Sequence, residues 1–365
     1  MRAAVDGCER VLGGKPPTML DRLAALLGTG ERYDLDQAPD LYCDGLVRQL
    51  EERVARLLGM PDAAFFPTGT MAQQAGLRIW AERDGCPGVA LHPQAHPELH
   101  EKEALTVLAG LRPVHPTTDA RLPSAAEIAA ETESFGTLML ELPLREAGFV
   151  LPSWDELTEV VRAGRDRNAR IHFDGARLWE TTTHFGRPLD EIAALADSVY
   201  VSFYKSLGGL SGSALAGPAD FVAEAKVWRH RYGGRLFEQF PVILAALDGL
   251  DRELPRLPAY VAHANVVADG LRRAFEPLTW YRISPEPPHT HQFAVWLPYP
   301  AAVLSDAVLS QAENAKLSLF RGWAPADLPG VAKAELTVAA PALDWTAEDV
   351  EIAARDFLTH VRSGS

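Results

Sequence analysis

The chain has few sulfur atoms to spare for chemistry. Its three cysteines, Cys8, Cys43 and Cys86, are odd in number and show no CxxC spacing. That pattern gives neither a disulfide framework nor a zinc knuckle and reads as reduced thiols. Long apolar runs are also missing. No uninterrupted apolar stretch approaches 18 residues, so no membrane-spanning helix is expected. The opening, "MRAAVDGCERVLGG", has no apolar core of a secretory signal. No tract of lysine or arginine stands out. The formal net charge is −14, from 35 basic and 49 acidic residues, which argues against nucleic acid or an anionic membrane as partner. These absences leave a cytoplasmic globular protein. With 365 residues and 47% hydrophobic content, it is long enough to bury two cores.

Apolar patterning supplies the organisation. Residues 41–59, "LYCDGLVRQLEERVARLLG", place Leu46, Leu50, Val54, Leu57 and Leu58 at helical spacing. Short buried strands are expected at "GVAL" (88–91), "TLMLEL" (137–142), "RIHFD" (170–174) and "SVYVSFY" (198–204). Helical segments fall between them, including 101–110, 189–196 and 153–168; the last opens on a Ser153/Glu156 capping box. Strands alternating with helices over 60–205 predict an α/β domain, a mainly parallel sheet with helices on both faces. Past residue 250 a long helix, two alternating strands ("HQFAVWLP", "AELTVAA") and a closing amphipathic helix suggest a smaller α+β domain. The expected boundaries are 1–40 for an arm and the start of the large domain, 41–248 for its body, and 249–365 for the small domain.

Ligands of such sheets bind at the carboxyl ends of strands, and three polar positions fall there. Thr68-Gly69-Thr70 follows "FFP" and opens a helix; it is an N-cap, or a hydroxyl with helix-end amides aimed at a phosphate. Asp174 closes "RIHF", and a buried carboxylate needs a cation or donor, for which Arg177 is the nearest structural partner. Lys205 ends an apolar run before "SLGGLSGS", a loop of little side-chain bulk. It is either a solvated strand end or an amine in a crowded pocket that loses its proton and acts as nucleophile. A phosphate anchor, an acid for a ring nitrogen and a lysine to condense with an aldehyde are together what pyridoxal phosphate requires. His92, His96 and His100 recur every four residues, but Pro93 and Pro97 break the helix that a metal site on that spacing needs.

With these motifs the chain resembles the threonine aldolase / β-eliminating lyase family of fold-type I pyridoxal-phosphate enzymes, most closely over residues 41–245. The matching segments are "FFPTGTMAQQ", "HFDGARLWE" and "SFYKSLGG", with Asp174 and Lys205 31 positions apart (205 − 174). The resemblance implies an aspartate-aminotransferase-like large domain and a homodimer or homotetramer. It implies Lys205, Asp174 and His96 as catalytic residues, His96 stacking on the cofactor ring. Thr68, Gly69, Thr70, Arg177 and Arg229 would join them around the cofactor, and Arg177 with Arg235 would bind the amino-acid substrate. Arg229, in "KVWRHRYGG", also reads as an ordinary solvated helix charge. Three departures concern the substrate side. The stretch "ELPLREAGFVLP" has no histidine where the family commonly carries one. Thr337, in "AELTVAA", stands where a carboxylate-binding arginine is usual, and "GGRLFEQ" replaces a glycine-rich turn. The implied activity is retro-aldol cleavage of a β-hydroxy-α-amino acid to glycine and an aldehyde. β-Elimination or C–S cleavage is the alternative, and a cofactor-binding protein without turnover a third.

Overall fold

The computed structural model describes residues 2–363, which form two compact units: Asp21–Pro255, and Met1–Leu20 together with Arg256–Ser365. The first twenty residues therefore group with the C-terminal part of the chain.

The larger unit is built on seven strands: β1 (Asp62–Phe66), β2 (Gly88–Ala90), β3 (Arg112–Val114), β4 (Thr137–Glu141), β5 (Arg170–Gly175), β6 (Ser198–Ser202) and β7 (Ser213–Gly217), in the order β1-β7-β6-β5-β4-β2-β3. All run parallel except β7, which is antiparallel to both β1 and β6. Strands buried on both faces read as unbroken apolar runs, and β4 and β6 are buried at every position. β7, "SALAG", escapes such a reading because its small residues carry no hydrophobic signature. They fit between two neighbours in a sheet covered on both sides.

Six helices of ten or more residues frame this unit: α1 (Met19–Gly28), whose first two residues precede the unit's boundary, α2 (Leu46–Leu57), α3 (Gly69–Asp84), α4 (Trp154–Asp166), α5 (Ala219–Arg231) and α6 (Phe240–Arg252). α3 starts because Thr68 caps it, its hydroxyl accepting from Met71 N at 3.3 Å, and stops at the left-handed Gly85. The Ser153/Glu156 capping box is formed at the start of α4. The predicted helix at 101–110 shrinks to a single turn, Ala104–Val107. Alternation along β5 divides its side chains between two layers. His172 hydrogen-bonds Gln73 of α3 at 2.7 Å, whereas Ile171 lies against Gly164 of α4. Asp174 shares the α3 face with His172. That face is filled by Ala72, Ala75, Ile79, Trp80, Leu215, Phe221 and Tyr200.

The smaller unit holds an antiparallel sheet of β8 (Arg282–Ser284), β9 (Gln292–Leu297) and β10 (Ala332–Thr337), with the two-residue strand Ala324–Pro325 at its edge beside β10. β10 alternates buried and half-buried residues, as expected of a sheet with one covered face. Helices α7 (Leu257–Phe275), α8 (Ala301–Ala315) and α9 (Ala347–Ser363) complete this unit, and a two-residue parallel pairing ties Arg10–Val11 to Leu317–Ser318. Among the described residues no helix is long and apolar enough to cross a membrane.

Candidate active site

Because β1, β2, β4, β5 and β6 share one direction, their carboxyl ends collect on one edge of the sheet. Thr68 follows β1, His96 follows β2, Glu141 ends β4, Asp174 lies near the end of β5, and Lys205 follows β6. Register completes the placement: Glu141 stands opposite Asp174, and Asp174 opposite Tyr200.

Asp174 is 2% exposed, and its Oδ1 accepts from Ala176 N at 3.2 Å. Burial raises its pKa, and the positive charges of His96 and Lys205 work against that rise. Lys205 is half-buried. Its pKa falls to about 8, first through burial, then through the Arg177 guanidinium, with Asp174 and Glu141 pulling the other way and Arg145 adding to the fall. An ordinary lysine titrates near 10.4, so much more of this amine is neutral near physiological pH. Its loop is fixed on both flanks: Phe203 N bonds Gly212 O at 3.1 Å and Gly209 N bonds Phe203 O at 2.8 Å. Ser206 also donates to the buried Glu180.

The helix end beside this pair is closely approached by a phenol. A Cβ on Gly69 would lie 2.1 Å from the Tyr200 hydroxyl, so only glycine allows the phenol and the α3 N-terminus to meet. Tyr200 is buried, and burial raises the pKa of its hydroxyl. Thr68 is exposed and caps the helix, while Thr70 is half-buried in the first turn.

His96 is held by two carboxylates. Its backbone N–H donates to Glu141 Oε2 at 2.8 Å, and its Nδ1 lies 3.2 Å from Glu101 Oε1. Glu101 Oε2 in turn accepts from Gln74 Nε2 at 3.1 Å. The other two histidines of the four-residue repeat go elsewhere, His92 to Asp119 O at 2.6 Å and His100 to Glu146 at 2.9 Å. Among the described residues no group of histidine, cysteine or carboxylate side chains is arranged to hold a metal.

Not every expected residue joins this cluster. Arg177 does; it is half-buried, with its guanidinium 5.2 Å from the Phe149 ring centre. Arg229 is no solvated helix charge. It is buried, Nη1 pairing with Glu51 Oε1 and donating to Phe65 O, both at 2.8 Å. Arg235 lies on the surface, its Nε donating to Tyr42 O at 3.1 Å. In the other unit Thr337 is engaged by Gln292, whose Nε2 donates to its hydroxyl at 2.9 Å. The sequence reading missed Glu141, Glu101, Tyr200 and Arg145. Glu141 carries the same signal as Asp174, an acid closing an apolar run, here "TLMLE". Glu101 and Arg145 sit in polar stretches with no such mark.

The chain is similar to several known proteins. The family model described as β-eliminating lyase matches residues 17–291. A low specificity L-threonine aldolase of Escherichia coli K12 is 31% identical over 242 residues, covering 64% of this chain and 72% of the relative. Low-specificity L-threonine aldolase 1 of Arabidopsis thaliana is 28% identical over 243 residues, covering 63% and 67%. Among solved structures, a putative L-allo-threonine aldolase from Listeria monocytogenes EGD-E superposes with a TM-score of 0.89 at 32% identity, covering 98% of both chains.

Proposed function

The chain belongs to the β-eliminating lyase family, and from that premise we propose that it is a pyridoxal-phosphate-dependent lyase cleaving the Cα–Cβ bond of β-hydroxy-α-amino acids to glycine and an aldehyde. The single observation that carries this reading is the convergence of Asp174, a Lys205 titrating at about 8 and the glycine-opened N-terminus of α3 on one sheet edge.

The residues fit the cofactor. The start of α3 would offer the positive end of a helix dipole to a phosphate, with the Thr68 hydroxyl, which caps Met71 N, and the Tyr200 hydroxyl against Gly69 beside it. Asp174 has one backbone donor and its pKa is raised by burial, so a protonated ring nitrogen would add a countercharge to those of its neighbours. Lys205 would hold the aldehyde carbon, and His96, fixed by Glu101 and Glu141, would lie against the ring. When bound, pyridoxal phosphate supplies an electron sink for the pair of electrons released from the breaking bond.

The chain's own residues do the rest. Lys205, neutral above about pH 8, accepts and returns protons at its Nζ. Arg177 pairs the substrate carboxylate. Cleavage removes the β-hydroxyl proton as the carbonyl forms and returns a proton to Cα, so atoms and charge balance. The same lowered lysine pKa also suits a base that takes an α-proton, which is what β-elimination needs; the second reading rests on that.

Assembly is part of the proposal. Leu23 and Leu27 of α1 are 59% and 74% exposed, and with Leu26, Leu35, Phe240 and Leu244 they line a groove of about 600 Å³. Exposed apolar area of this kind favours a homodimer or homotetramer.

The test has two parts. Borohydride treatment of the yellow, cofactor-loaded protein, followed by peptide mapping, should place a pyridoxyl group on Lys205. Incubation with a panel of amino acids should give glycine plus an aldehyde. A keto acid with ammonia instead would establish the elimination reading, and no adduct on Lys205 would sink both.

A further inference from the structure

We propose that Arg145 holds the substrate carboxylate jointly with Arg177, an inference that rests on the amino-acid lyase reading above. No motif drew attention to it; its place in the fold does. Arg145 lies four residues beyond the end of β4, and its backbone N–H donates to Glu141 Oε1 at 3.2 Å. The other oxygen of that carboxylate takes the His96 amide at 2.8 Å, and Glu141 stands in register with Asp174. One buried carboxylate thus fixes the backbones of Arg145 and His96 beside Asp174.

The far side of the loop reaches Arg177. Phe149 N donates to Arg145 O at 3.2 Å, and the Phe149 ring lies 5.2 Å from the Arg177 guanidinium. The bridge between Leu144 and Val150 closes the loop on itself. Both arginines are therefore set by one closed turn at the sheet edge. Electrostatics agrees: the guanidiniums of Arg177 and Arg145 both lower the pKa of Lys205.

The chemistry needs such a pair. A carboxylate entering a half-dry pocket must be matched by donors, or its lost hydration cancels binding. An arginine meets it with a planar fork of two N–H groups, which neither threonine nor lysine reproduces. Arg145 also lies 3.4 Å from Glu146, which His100 engages at 2.9 Å. A guanidinium carries five N–H donors, enough to serve Glu146 and a substrate carboxylate together. The other arginine the sequence offered, Arg235, is turned to Tyr42 on the surface.

The experiment uses cofactor-loaded protein and reads binding, not turnover alone. Glycine is titrated into wild type, Arg145→Gln and Arg145→Lys while the visible absorbance of the cofactor is followed. Arg145→Gln should raise half-saturation roughly 10- to 150-fold, the range for one lost charged hydrogen bond. Arg145→Lys should fall between, and cofactor content and thermal midpoint should stay at the wild-type values. Threoninamide, which lacks the carboxylate, should bind wild type and variant alike. Equal glycine curves for wild type and Arg145→Gln would overturn the assignment. So would a loss confined to amino acids with acidic side chains, since Arg145 would then read the side chain. A wild type that responds to no amino acid would instead overturn the lyase reading beneath it.

Discussion

Glu141 and Asp174 stand side by side on neighbouring strands, both buried, both with pKa values pushed up by loss of water. Their surroundings differ. Glu141 gives each oxygen to a backbone amide, those of His96 and Arg145. Asp174 receives one amide, from Ala176, and otherwise feels the charges of His96 and Lys205. Two carboxylates of similar burial thus do different work. Glu141 fastens loops, whereas Asp174 is opposed by His96 and Lys205, the residues proposed to serve the reaction. Burial and a shifted pKa mark both; the kind of partner separates them.

Substitution should pull the two apart. Asp174→Asn keeps the shape and removes the charge, so we expect cofactor still to bind, more weakly, while turnover drops by roughly a hundredfold or more, about 3 kcal/mol. Its thermal midpoint should hold or rise, because an incompletely matched buried charge is gone. Steady-state kinetics with a melting curve checks both; near-normal turnover would make Asp174 a structural acid like its neighbour. Glu141→Gln should show the reverse emphasis. One amide oxygen replaces two acceptors, so a buried N–H loses its partner at a cost of about 1–3 kcal/mol of stability. The melting curve should move first, and kcat should fall mainly as far as His96 and Arg145 lose their positions.

The smallest expected effect is on pH. The Lys205 pKa is lowered, so the amine gains its neutral form as pH rises through about 8. Cofactor uptake by the apo-protein should speed up by roughly tenfold from pH 7 and level off above 9, because neutral amine is the nucleophile. Stopped-flow absorbance follows it. A rate still climbing past pH 10 would show an ordinary, solvated lysine.

The fastening side of this comparison was the harder one to read from sequence. Asp174, Lys205 and the Thr68-Gly69-Thr70 turn were legible because each is a polar break at the end of an apolar run, and strand ends are where such sheets bind ligands. Glu101 and Arg145 gain meaning only when β2 and β4 bring their loops together. Arg229 looks like any helix cation until Glu51, 178 positions away, is seen to pair with it. The small-residue strand β7 and its reversed direction were likewise invisible, since patterning needs side chains with something to hide. The sheet was foreseen as mainly parallel, and that one strand accounts for the word "mainly".

That reversed strand has a consequence for how the site is assembled in time. Lys205 lies in a turn joining two adjacent, directly paired strands, β6 and β7, whereas Thr68 and Asp174 are brought in by crossovers through helices. A loop of this size closes in roughly 10–100 ns, and a hairpin pairs in roughly 1–10 μs. Non-local pairing bears a larger entropy of closure and comes later. Lys205 therefore sits in the most local pairing of the sheet, whereas Asp174 and the Thr68-Gly69-Thr70 turn depend on longer-range pairing, and on topology alone the hairpin is expected to form first.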